Sequence, residues 1–308
     1  MAAEEILTMA FRSWVLLARA GSVGPALIAA EFTVENAERE LKAAFPQIVR
    51  VSDNLPAGVI TEENLTYAQS DGRSLQLDLY RPGKGGLHPA ILIVHGGGWE
   101  TGRREMERPF AKRLAERGYA TVPVSYRLGE RGRFPAALHD LKAAVRWLRL
   151  HAAEHGIDVR QIGVVGASAG GQLAALLGAG NGVDALEGEE EPQGSTSAVQ
   201  AVVNIDGLAD FTEPHFVAQQ AERPSAPTLF INSTAPTPVL PGREVMRDRL
   251  RAFGVAAEIV VIPNTPHPFW LFHPWFEPVL DATDAFLRQH LSSPGHSAHE
   301  SAGRPPRD

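Results

Sequence analysis

The chain has 308 residues, 44% of them hydrophobic and 21% charged, a balance that fits one large globular domain or two small ones. A net charge of −7 argues against a nucleic-acid partner, whose phosphates call for a basic face. With no cysteine, disulfides, thiolate nucleophiles and thiolate-bound metals are excluded.

Residues 1–55 read as a helical N-terminal extension able to act as a partial cap. Their apolar stretches, 14–17 and 25–30, are broken by Arg19 and by glycines, too short and interrupted for a membrane span. Glu4 and Glu5 stand where a signal peptide carries basic residues. This favours a cytoplasmic location; a start at Met9 would look more signal-like and keeps export, periplasmic or secreted, as the alternative. Residues 35–45 form an amphipathic helix.

Beyond residue 55, strands and helices alternate. "LTYAQ" (65–69) and "SLQLDLYRP" (74–82) alternate apolar and polar and predict an antiparallel hairpin. "PAILIVHGGGW" (89–99) is a buried strand ending in glycines. "REMERPFAKRLAERG" (104–118) is an amphipathic helix closed by Gly118, and "GYATVPVSYRL" (118–128) is the next strand. "FPAALHDLKAAVRWLRLHAAEHG" (134–156) is a helix with Leu138, Leu141, Val145 and Leu148 on one face. "QIGVVGASAG" (161–170) is strand and turn, and "GQLAALLGAG" (171–180) is helix. Strands follow at 199–207, 227–233 and 257–263, with helices at 242–254 and 275–291. The expected fold class is α/β: a mostly parallel, doubly wound sheet over 56–291, helices on both faces, an antiparallel N-terminal edge and a minimal cap. The acidic, Gly/Ser-rich segment 182–197 reads as a solvated loop, and the tail 292–308 as disordered. The tail's two histidines have no companion ligands, and no metal site is expected.

Gly166-Ala167-Ser168-Ala169-Gly170 fits G-x-S-x-G between a strand and a helix. Flanking glycines let a tight turn lift the serine hydroxyl to a helix N-terminus, where negative charge is favoured. His95 is followed by three glycines, which can turn backbone N–H groups into a cleft; Gly97, Gly98 and Ala169 are the candidate oxyanion donors. His95 itself is expected to hold the loop. His267, between Pro266 and Pro268 just after the last strand, lies where a parallel sheet gathers its site and is the candidate base. His139 and His151 lie on a helix and read as surface or packing residues.

"HGGGW", "VSYRL", "FPAALHDLKAAVRWLR", "GVVGASAGG" and "PHPFW", in this order, resemble the α/β-hydrolase superfamily. The closer resemblance is to carboxylesterases of the hormone-sensitive-lipase type and the related bacterial xylan, pectin and feruloyl esterases. It spans roughly residues 60–291. It implies a Ser168 nucleophile, a His267 base, an acid between them and no cofactor. The family's usual acid would fall at Pro236. Three carboxylates compete for the role: Asp206 first, then Asp210, then Glu244. Asp140 is expected to brace the nucleophile turn. The connection from Gly207 to Pro227 is short for this family and predicts an open cleft, with Trp99, Phe269 and Trp270 as candidate substrate-binding residues. The expected partner is a small-molecule or polysaccharide-linked ester of acetyl or methyl type. The alternatives are a peptidase of the same fold and a non-catalytic binding protein on a hydrolase scaffold.

Overall fold

The computed structural model describes residues 32–189, 192, 194–209, 225–234 and 242–291. The expectations for most of the N-terminal extension, the tail, Pro236, Asp210 and most of the 207–227 connection lie outside these residues. Helix α1 (Val34–Leu41) starts where the Thr33 hydroxyl accepts the Asn36 N–H at 3.1 Å. It stops sooner than the amphipathic pattern through residue 45 suggests.

A short strand β1 (Val49–Arg50) precedes the hairpin β2 (Val59–Ser70) and β3 (Arg73–Pro82). Its two-residue turn, Asp71-Gly72, has φ of 51° and 70°, as the right-handed twist of a tight hairpin demands. Then come β4 (His88–Val94), α2 (Arg108–Glu116), β5 (Ala120–Val124), α3 (Ala136–Leu150) and α4 (Ala152–His155). Two segments read as single helices are each divided. Residues 104–107 form a 3-10 turn ahead of α2, because Pro109 suits only the first turn of an α-helix. The second break falls at His151. The strand–helix alternation continues with β6 (Ile157–Ala167), α5 (Ala169–Ala179), β7 (Ala201–Ile205), β8 (Thr228–Ser233), α6 (Arg243–Ala252) and β9 (Ala257–Ile262), then β10 (Phe272–His273) and α7 (Phe276–Leu291).

Eight strands form one sheet in the order β2-β3-β5-β4-β6-β7-β8-β9. β3 pairs antiparallel with both neighbours, and every pairing from β5 to β9 is parallel. This is the α/β-hydrolase architecture. A two-stranded antiparallel sheet of β1 and β10, absent from the sequence reading, ties the N-terminal side to the chain just before α7. Alternate residues of the central strands feed two cores. Leu92, Val94 and Val164 face α3 and α5, whereas Ile91, Ile93 and Val165 face α2 and α7. Among the described residues no helix is long and apolar enough to cross a membrane.

Segment 182–197 is not the free solvated loop expected. Lys142, fully buried on α3, donates to Glu187 Oε1 at 2.8 Å, Ser197 Oγ at 3.0 Å and the Gly180 carbonyl at 3.0 Å. Arg146, one turn on, donates to the Pro192 carbonyl at 2.7 Å. Two buried cations require an anion and carbonyls, and the loop supplies them.

Candidate active site

Ser168 sits between β6 and α5 with φ 54° and ψ −121°, a conformation an L-residue rarely adopts. The glycines around it are steric requirements. A Cβ on Gly166 would lie 2.0 Å from the Gly170 carbonyl oxygen, and one on Gly170 2.2 Å from that of Val94. The Ser168 N–H donates to the Ile205 carbonyl at 2.9 Å, which pins the bend to β7. The hydroxyl does not cap α5 and is available to the cleft.

That hydroxyl lies 3.0 Å from His267 Nε2, and His267 Nδ1 lies 2.8 Å from Asp206 Oδ2. A carboxylate only accepts, so Nδ1–H donates to Asp206, and Nε2 is left to accept the Ser168 hydroxyl proton. His267 arrives from the loop after β9. Asn264 there has φ 56° and donates its N–H to Thr234 Oγ1 at 3.0 Å, and Thr265 Oγ1 donates to the Ile262 carbonyl at 3.0 Å. Behind the imidazole, Trp270 packs edge-on with ring centroids 4.9 Å apart.

Asp206 follows β7 with φ 47°, its N–H donating to the Ile231 carbonyl of β8 at 2.7 Å. Only 3% of the residue is exposed. Burial alone would push its carboxyl up. The hydrogen bond and charge of His267, with the N–H and hydroxyl of Ser233, outweigh burial and hold it below the ordinary carboxylate value. Glu244, third in the sequence ranking, instead begins α6, exposed and paired with Arg243 at 2.7 Å. Asp140 is fully buried and directed at the strand-to-helix loop after β5: its carboxylate accepts the Arg127 main-chain N–H at 2.8 Å and the guanidinium at 2.7 Å. The expected brace for the nucleophile turn therefore serves the "SYRL" loop.

The glycine loop is held from within. His95, 1% exposed, donates from Nδ1 to the Gly96 carbonyl at 2.7 Å and stacks on Tyr126, whose hydroxyl donates to the His95 carbonyl at 2.8 Å. Burial lowers the His95 pKa to about 4, so the ring is neutral at pH 7. Gly97 has φ 120°, and a Cβ there would lie 2.1 Å from the Thr101 carbonyl oxygen; Gly98 and Trp99 follow, both at φ 63°. A Cβ on Gly96 would lie 3.1 Å from Ser168 Cβ, so the loop runs directly against the serine. The N–H groups of Gly97, Gly98 and Ala169 take no part in the hydrogen bonds that fix the loop and the helix start. The arrangement supplies a hydroxyl, an imidazole oriented by a carboxylate, and backbone donors beside them, the constellation that acyl transfer uses.

Two of the three expected substrate contacts are corrected. Phe269 and Trp270 are 0% and 1% exposed, packed edge to face with centroids 5.7 Å apart in the α2/α7 core. Large aromatic rings bury more apolar area there than a cleft wall would allow. Trp99 alone of the three keeps exposed surface. The sequence reading missed the roles of Ser233, the last residue of the strand at 227–233, and of Tyr126, which lies within the strand at 118–128 and the "VSYRL" stretch.

The BD-FAE family model matches residues 77–274, well over half of the chain. Esterase LipC of Mycobacterium tuberculosis is 36% identical over 126 residues, covering 41% of this chain and 31% of its own length. The ethyl acetate hydrolase of Pseudomonas putida is 37% identical over 118 residues, 37% of each protein. The chain thus spans about a third of the length of these curated relatives. The thermophilic esterase Est2 of Thermogutta terrifontis, solved with propionate bound, superposes with a TM-score of 0.63 at 25% identity, covering 76% of this chain and 94% of its own. The same esterase has been solved phosphorylated by paraoxon.

Proposed function

The chain belongs to the BD-FAE family, and from that premise we propose that it is a serine carboxylic-ester hydrolase acting through an acyl-enzyme on Ser168. One observation carries the reading: the unbroken chain from Ser168 Oγ to His267 to Asp206, at 3.0 and 2.8 Å. The ester carbonyl docks with its oxygen toward the N–H groups of Gly97, Gly98 and Ala169. Ser168 Oγ attacks the carbonyl carbon as its proton passes to His267 Nε2. The three N–H groups stabilise the negative oxygen of the tetrahedral intermediate. Asp206 fixes the imidazole tautomer and balances the imidazolium. Collapse expels the alkoxide, which takes the proton from His267 and leaves as an alcohol. A water molecule, deprotonated by His267, then attacks the acyl carbon. The carboxylic acid departs and Ser168 recovers its proton.

Short acyl groups, such as acetyl, fit this reading best. A relative named for ethyl acetate and a structural neighbour with bound propionate support the size class. Acetyl or methyl esters carried on polysaccharide belong to the same chemistry. The test measures hydrolysis of p-nitrophenyl acetate, butyrate and octanoate by the full chain and by Ser168→Ala, with mass analysis after paraoxon treatment. Hydrolysis that falls with chain length, and one phosphoryl adduct lost in the variant, are the expected results. A chain that neither hydrolyses any ester nor takes the adduct would overturn the proposal.

A further inference from the structure

The geometry points to Ser233 as a positioning residue, one that holds the Asp206 carboxylate in the orientation His267 requires. This deepens the proposed Ser168–His267–Asp206 mechanism and rests on it. The sheet order places β6, β7, β8 and β9 side by side. The serine follows β6, the aspartate β7 and the histidine β9, so the imidazole must cross the end of β8 to reach its acid. Ser233 is the last residue of β8 and is only 2% exposed.

Its hydroxyl lies 3.1 Å from each Asp206 oxygen, and its main-chain N–H donates to Oδ1 at 3.2 Å. Asn232 Nδ2 adds a longer contact to Oδ1 at 3.4 Å. Three of these four contacts fall on Oδ1, and the Ser233 hydroxyl bridges to Oδ2, the oxygen that His267 Nδ1 bonds at 2.8 Å. The aspartate also needs outside support. A left-handed φ of 47° in a non-glycine residue persists only where its surroundings over-determine it. The Ser233 hydroxyl is one side-chain part of that determination, beside Asn232 and His267, and the main-chain bonds between β7 and β8 add to it.

Ser233→Ala and Ser233→Thr are compared with the parent for kcat and KM on p-nitrophenyl acetate. The downfield proton resonance of the imidazole N–H facing Asp206 is recorded for each. Alanine keeps the main-chain donor and loses the hydroxyl, so kcat is expected to fall about tenfold with KM unchanged within about twofold. The downfield resonance is expected to shift or broaden in step. Threonine keeps the hydroxyl and suits a strand, so it should restore both kcat and resonance. A folded Ser233→Ala with parental kcat and resonance overturns the inference. So does a folded Ser233→Thr with both at the alanine level, which decides the matter even where the alanine variant does not fold. An inactive parent enzyme would instead overturn the esterase reading. The resonance, read without substrate, would still report whether Ser233 orients Asp206.

Discussion

Replacing Asp206 by asparagine tests the proposed mechanism at its most specific point. Asparagine tolerates left-handed backbone as well as aspartate does, so the φ of 47° adds no new strain. The side chain must then choose an orientation. Oδ1 of Asp206 faces the Ser233 N–H at 3.2 Å, the Ser233 hydroxyl at 3.1 Å and Asn232 Nδ2 at 3.4 Å, whereas Oδ2 faces His267 at 2.8 Å. Turning the amide NH2 toward β8 would set donor against donor there. The favoured orientation keeps the carbonyl toward β8 and aims the NH2 at His267 Nδ1. The imidazole must then accept at Nδ1 and carry its proton on Nε2, where it cannot take one from Ser168. The equivalent substitution in a serine protease costs kcat about 10⁴-fold through the same tautomer error. At 1.36 kcal/mol per decade that is roughly 5 kcal/mol of transition-state stabilisation. The assay is kcat on p-nitrophenyl acetate, with thermal unfolding to confirm the fold and Glu244→Gln alongside. A variant within tenfold of the parent, or one matched by Glu244→Gln, would refute the assignment of Asp206.

Two further substitutions test packing and burial. Gly170→Ala places a Cβ 2.2 Å from the Val94 carbonyl oxygen and 2.5 Å from that of His95, where the glycine loop begins. It should lower stability by about 3 kcal/mol and abolish activity together, whereas an unchanged urea midpoint would contradict the close approach. Glu107 is 3% exposed, and burial lifts its carboxyl from 4.5 to about 7; the Trp270 indole pulls the other way but forms no well-aligned hydrogen bond. Between those values the folded chain keeps a proton that the unfolded chain has released, so stability falls as pH rises. The loss reaches about 3 kcal/mol by pH 7 at 1.36 kcal/mol per pH unit. Glu107→Gln cannot ionise. It should match the parent in urea unfolding at pH 4.5 and exceed it at pH 8, and a pH-independent difference would refute the reasoning.

What was legible in the sequence follows the range of the interactions concerned. The sheet and most helices were readable because apolar alternation and helical spacing are local patterns. Ser168 and the glycine loop were readable for the same reason: the steric demands at Gly97, Gly166 and Gly170 come from backbone within a few residues or from the adjacent strand. The acid was only ranked. In the sequence Asp206 and Asp210 stand at or just past the end of one strand and Glu244 at the start of the helix after the next, and choosing among them requires knowing that β7 and β8 are neighbours. Ser233 meets Asp206 from 27 positions away, and Tyr126 meets the His95 carbonyl from 31. Neither contact leaves any periodic trace.

The misreadings share a cause. Phe269 and Trp270 follow His267 in the chain, and chain proximity suggested a cleft wall. The 3-10 turn they form instead directs both rings into the core beside α7. Glu187 sits in an acidic, glycine-rich run that reads as solvated on composition alone. Its partners, Lys142 and Arg146, occupy a helix buried on nearly every side, where two cations one turn apart call for anionic and carbonyl partners. The positions of those cations were the available signal. A helix with apolar residues on one face and two successive-turn cations also inside has to receive an anion from elsewhere, and the nearest acidic run in the chain supplies it.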